Sequence, residues 1–128
     1  MQYEYFYGAQ AEQFSFYRIP KALFTEPNFR ELSTDAKVLY GILLDRMSLS
    51  LKNQWLDAQN KVYIIFTVEE IMDALNCANQ KATRLMVELE KQAGLIERKR
   101  QGLGRPNLIY VKNFAATINS KGCEKGDS

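Results

Sequence analysis

The amino-acid sequence predicts an α+β fold, and three observations lead there. Residues 67–93 read as two short amphipathic helices joined by a two-residue break. Residues 95–112 read as two strands around a turn that two Gly and a Pro punctuate. A long helical stretch at 32–49 and a short apolar run at 62–66 precede them. The order helix, strand, helix, helix, strand, turn, strand is that of a winged helix-turn-helix with a small antiparallel sheet.

Residues 1–13 form an aromatic arm, with Tyr3, Tyr5, Phe6 and Tyr7 within the first seven positions. The alternatives for it are docking on a partner subunit, stacking on DNA, or covering the domain's own core as a strand or flap. Residues 14–20 alternate aromatic and other side chains and read as a strand stopped by Pro20. Residues 21–24 make a short helical turn that ends near Pro27. In the long helix, Ser33 is the expected N-cap, with Ala36 rather than Glu at the third position. Ala36, Leu39, Tyr40, Leu43, Leu44 and Met47 form its apolar stripe, which reads as core. Trp55 anchors the connector at 50–61, where Asn60 suits a left-handed turn. Val62-Tyr63-Ile64-Ile65-Phe66 is apolar throughout and reads as a buried strand paired with the wing.

Thr67 and Glu70 have the spacing of a capping box. Val68, Ile71, Met72 and Leu75 give the first short helix one apolar face. Asn79 suits the cap of the second, which runs to about Ala93 with Gly94 just beyond it. Ala82, Leu85, Met86, Leu89 and Ala93 face the core. The opposite face begins with Asn79, Gln80, Lys81, Thr83 and Arg84. Amides, a hydroxyl and cations can read base edges and hold phosphates, so this helix is the candidate recognition helix for double-stranded DNA. Gln80 suits adenine, and Lys81 or Arg84 suits guanine. Arg98, Lys99, Arg100, Gln101 and Arg105 mark the candidate DNA-binding wing.

Charge distribution supports this reading. Residues 79–112 hold eight Lys or Arg against three acids, a net charge of +5. The whole chain carries only +2, so the remainder is net acidic. Clustered charge usually marks only a solvated face. Here it falls on the two elements that a winged helix turns towards DNA.

At 128 residues, the length suits one domain with some tail, large enough to fold without staples. Hydrophobic residues at 46% and charged ones at 25% are ordinary for a globular protein. No apolar run reaches membrane-spanning length, and the first residues lack a signal-peptide pattern. Cys77 and Cys123 do not form a disulfide pattern, so we expect reduced thiols in a cytoplasmic protein. The chain has no His and no Gly-rich phosphate loop. Ser-His-Asp catalysis, His-held metals and ATP hydrolysis are thereby disfavoured, and the expectation is no enzyme, no metal and no cofactor. Residues 115–128 read as a flexible tail or a linker towards a C-terminal domain that this chain lacks.

Four blocks of sequence carry a family resemblance. The first is Phe16-Tyr17-Arg18-Ile19-Pro20-Lys21-Ala22-Leu23-Phe24, and Leu32-Ser33-Thr34-Asp35-Ala36-Lys37-Val38-Leu39-Tyr40-Gly41 follows it. The third runs from Asp45-Arg46-Met47-Ser48-Leu49-Ser50 through Asn53-Gln54-Trp55 to Val62-Tyr63-Ile64. The fourth is Arg100-Gln101-Gly102-Leu103-Gly104-Arg105-Pro106-Asn107. In this order, residues 14–114 resemble the N-terminal domain of RepA-type replication initiators, from theta-replicating plasmids and mobile elements of Gram-positive bacteria. The resemblance implies a winged-helix DNA-binding domain, usually a homodimer, that recognises repeated origin sequences (iterons). It also implies a separate DnaD-like domain for recruiting host replication proteins, which this chain does not contain. A winged-helix transcriptional regulator would share the same domain physics, and a winged helix used only for protein contacts is a further alternative.

Overall fold

The computed structural model describes residues 2–9 and 13–115. Helix α1 (Ala22–Thr25) and a 3-10 turn (Pro27–Phe29) lead into the long helix α2 (Thr34–Lys52). The helix-turn-helix follows as α3 (Val68–Leu75) and α4 (Asn79–Val87). A π-helical turn, Glu88–Gln92, extends α4. The wing strands are β1 (Ile96–Lys99) and β2 (Leu108–Val111). They pair antiparallel, from Ile96 opposite Val111 to Lys99 opposite Leu108. This is the α+β, winged helix-turn-helix layout that the sequence predicts.

One core unites the elements. Leu39 and Leu43 of α2, Ile71 of α3, Leu85 of α4, Ile96 of β1 and Ile109 of β2 lie in a single buried cluster. The apolar stripes expected on α2 and α4 supply a large share of it, since helical spacing places such residues on one side. Tyr40 reaches through the core and donates a hydrogen bond to the Lys112 carbonyl at 2.8 Å. Its burial pushes the phenol pKa up to about 12, so it stays a donor across the physiological range. Phe114 packs edge-on against Phe29 at 5.1 Å and fastens the chain after β2.

Two caps are made in different ways. Thr67 and Glu70 form the expected capping box at the start of α3. Ser33 caps α2 by accepting from the Ala36 N–H at 3.2 Å. Ala36 cannot return a carboxylate, so Glu88 supplies one from the end of α4. It accepts from the Ser33 N–H and hydroxyl, both at 2.9 Å. This cap stabilises α2 by about 1 kcal/mol and also ties α4 to α2.

Several expectations need correction. Residues 14–20 form no strand and join no sheet among the described residues. Phe14, Phe16 and Tyr17 stay exposed there. The segment lies across α2 at Gly41, where a Cβ would come within 2.8 Å of Ile19 Cγ1 and 3.0 Å of the Arg18 carbonyl. The backbone therefore rests on a helix and not on a sheet edge. Residues 62–66 do not form a continuous strand either. Ile64 exchanges two hydrogen bonds with Ile109, both 2.9 Å, while Val62 bridges back to Leu56. The run is divided between two partners before Thr67 turns it into α3. Helix α2 runs three residues beyond the expected end at Leu49. Ala78, not Asn79, is the N-cap of α4. The expected tail beyond 115 and Cys123 lie outside the described residues.

Trp55 behaves as a packing anchor, stacked on Tyr63 at 6.4 Å. Asn60 takes the left-handed conformation at φ 67°, in a turn where Asp57 accepts from the Gln59 and Lys61 N–H groups. Cys77 packs half-buried against the core. No helix among the described residues is long and apolar enough to cross a membrane.

Candidate nucleic-acid interface

The interface begins with how α4 is held. Asn76 ends α3 in the left-handed conformation, at φ 51°, and the chain turns through Cys77 and Ala78 into α4. Ala82, Leu85 and Met86 seat the inner face of α4 in the core. Asn79, Gln80, Thr83 and Arg84 are exposed on the outer face. Ala78 has no side-chain acceptor, so the first-turn N–H groups of α4 have no side-chain cap. Such groups suit a phosphate oxygen. Asn79 is instead within the first turn, its side-chain oxygen 3.5 Å from the Thr83 hydroxyl.

Three ion pairs form among the described residues, and they sort the cations. Lys81 meets Asp35 of α2 at 2.6 Å, with both side chains substantially exposed. Arg46 meets Glu70 at 2.9 Å and joins α2 to α3. Arg98 meets Glu90 at 2.7 Å, and Nε and the backbone N–H of Arg98 bond the same carboxylate at 3.1 and 3.2 Å. Arg98 is thus turned inward, as a brace between the π-helical turn and β1. In the free domain its guanidinium is engaged by Glu90, where the sequence suggests a phosphate contact. Arg84, Lys99, Arg100 and Arg105 remain exposed and outside these pairs.

In the sequence, Glu88 and Glu90 are two of the three acids within residues 79–112. In three dimensions, Glu88 caps α2 and Glu90 fixes the wing. The hydrogen bonds from Arg98 hold the Glu90 carboxyl below its ordinary range. A lowered folded-state pKa means that the stabilisation is present above the unfolded carboxyl's range. It is lost as pH falls through the ordinary carboxylate range and past it, into the lowered folded-state value. Glu90→Gln is therefore expected to lower the thermal midpoint at neutral pH, with the gap from wild type closing in acid. A gap independent of pH would show that the charge of Glu90 is not what matters.

The wing tip is a closed turn. Gln101 Nε2 donates to the Pro106 carbonyl at 2.7 Å, and the Arg105 N–H donates to the Gly102 carbonyl at 3.2 Å. Gly102 and Gly104 take φ of 120° and 77°, which a residue with a Cβ rarely adopts. Leu103 stands fully exposed between them. In the sequence it is one position of the turn, an apolar residue among glycines and cations. Between the wing and the helix-turn-helix runs a groove lined by Thr67, Glu69, Asn79, Arg105 and Asn107. It brings the start of α4 and the wing tip to one side of the domain. Val87, partly exposed on the outer face of α4, adds a small apolar surface there.

Comparisons with known proteins agree with this geometry. The family described as "Replication initiator protein A (RepA) N-terminus" matches residues 15–124. A Lactobacillus helveticus "41 kDa protein" is 32% identical over 103 residues. That match covers 80% of this chain and 28% of the relative, so the chain spans just over a quarter of the relative's length. Among solved structures, an "N-Terminal domain of DNA binding protein" superposes with a TM-score of 0.72 at 36% identity, covering 99% of this chain and 98% of that one. A "Structure of Rep-DNA complex" matches with the same TM-score and identity, over 98% of each chain. A "Structure of MDR initiator" matches with a TM-score of 0.67 at 38% identity, over 93% of this chain and 98% of that one. With most of its length matched, this chain belongs to the replication initiator protein A (RepA) N-terminus family.

Proposed function

We propose that the domain binds double-stranded DNA sequence-specifically, at repeated plasmid origin sequences (iterons), to initiate replication. The observation that carries this is the outer face of α4, where Gln80, Thr83 and Arg84 are exposed while the inner face is locked into the core. In this reading α4 enters the major groove with Asn79, Gln80 and Arg84 at base edges. Lys81 joins them by exchanging Asp35 for a phosphate. Lys99, Arg100, Gln101 and Arg105 place the wing on the flanking backbone or minor groove. The family membership and the Rep-DNA relative support DNA binding by an initiator.

The domain acts in the cytoplasm by binding, without catalysis. It works as a homodimer, and the exposed aromatic arm supports a protein contact. Tyr3, Tyr5 and Phe6 are largely exposed, while Phe6 and Phe14 pack edge-on at 5.9 Å. Host replication proteins are recruited through a C-terminal domain beyond this chain.

Binding of this chain to duplexes tiled across its own gene and flanks, at two salt concentrations with random DNA as competitor, tests the reading. Repeated, competitor-resistant sites inside the coding region support an origin-binding initiator. One site at a promoter favours a transcriptional regulator, and no binding at low salt leaves a protein-interaction module. Lys99→Ala or Arg100→Ala is expected to weaken binding to all duplexes alike. Each should flatten the dependence of log affinity on log salt by about one unit per lost phosphate contact. An unchanged slope removes that residue from the backbone contacts.

A further inference from the structure

The wing tip holds a feature that phosphate binding does not use. Residues 100–107 are Arg, Gln, Gly, Leu, Gly, Arg, Pro and Asn, and the leucine stands at the apex with 105% relative exposure. A lone exposed leucine elsewhere on a surface needs no explanation. This one is held out by a built turn. The Arg105-to-Gly102 hydrogen bond closes it, Gly104 supplies the positive φ, and the Gln101-to-Pro106 bond pins its base. Arg100 and Arg105 flank it, both exposed.

An apolar tip between two cations matches the minor groove of DNA. The groove's walls are phosphates, which suit the arginines. Its interior offers sugar edges and base steps, against which an aliphatic side chain can pack. We infer that Leu103 is an apolar wedge, which enters the minor groove beside the site read by α4 and partly opens one base step. The wing then reads DNA deformability as well as charge. Flexible pyrimidine–purine steps open at least cost, so Leu103 confers a preference for such a step at the flank. This rests on the DNA-binding reading above.

The test uses the tightest duplex from the tiling, labelled at both ends so that energy transfer reports bending, and a random duplex. Wild type, Leu103→Ala and Leu103→Met are compared. Full exposure of Leu103 makes the substitutions harmless to folding. Leu103→Ala is expected to lose about tenfold in affinity for the specific duplex and most of the bend, with little change on random DNA. Leu103→Met restores both. Replacing the flanking pyrimidine–purine step by a purine–purine step weakens wild type but not Leu103→Ala. If Leu103→Ala binds and bends DNA as wild type does, or loses equally on all duplexes, the wedge is overturned while DNA binding stands. If wild type prefers no duplex over random DNA, the initiator reading falls and the wedge falls with it.

Discussion

Leu85→Ala is expected to lower the stability of the domain by about 2–5 kcal/mol. Leu85 is fully buried on the inner face of α4, in the cluster that also holds Leu39, Leu43 and Ile71. Truncation removes apolar contact and leaves a cavity that the flanking helices close only in part. Domains of this size are typically stable by only about 5–15 kcal/mol, so the loss is a large share of the total. Urea titration measures it directly, with the slope expected to stay constant while the midpoint falls. A midpoint within experimental scatter of wild type would mean that α4 is not held through this residue. DNA affinity should follow the folded fraction, because the mutation leaves the outer face chemically intact.

Arg84→Ala, one residue away, is expected to do the reverse. Arg84 is exposed and outside the ion pairs, and alanine suits a helix interior, so stability should change by less than about 0.5 kcal/mol. Affinity for the specific duplex should fall by about 1–3 kcal/mol, with relaxed preference at one or two base positions. Arg84→Lys separates two modes of contact. The planar guanidinium can pair bidentately with guanine, whereas an ammonium is a point charge. If lysine restores full affinity, or if specific and random duplexes lose equally, Arg84 holds a phosphate and reads no base. The opposite readouts of residues 84 and 85 would establish that α4 divides its two faces between folding and recognition.

How far the sequence alone leads can be judged from particular residues. The apolar faces of α2, α3 and α4 were legible because helical spacing is local and the core accepts whichever side is apolar. The capping box of Thr67 and Glu70 and the left-handed Asn60 were legible because their partners lie within a few residues. The N-cap of α4 was misplaced by one residue. Asn79 is the better capping residue, yet the turn after Asn76 brings Ala78 into that position. The outer face of α4 and the wing cations were legible as a pattern of charge. Which of those cations face outward was not, since Arg98 and Lys81 find acids from other elements.

The sequence by itself determined the order and type of the helices, the wing hairpin and the side on which positive charge gathers. These follow from periodicity, turn residues and composition, all properties of short stretches of chain. Only the tertiary structure decided that Glu88 completes the cap of Ser33 across 55 positions, and that Glu90 draws Arg98 inward. It also decided that residues 14–20 rest on α2 at Gly41 and that 62–66 are shared between Leu56 and Ile109. A strand needs a free neighbouring edge, and a charged side chain takes the nearest opposite charge. Both partners are set by how the helices pack, and local sequence carries no record of that.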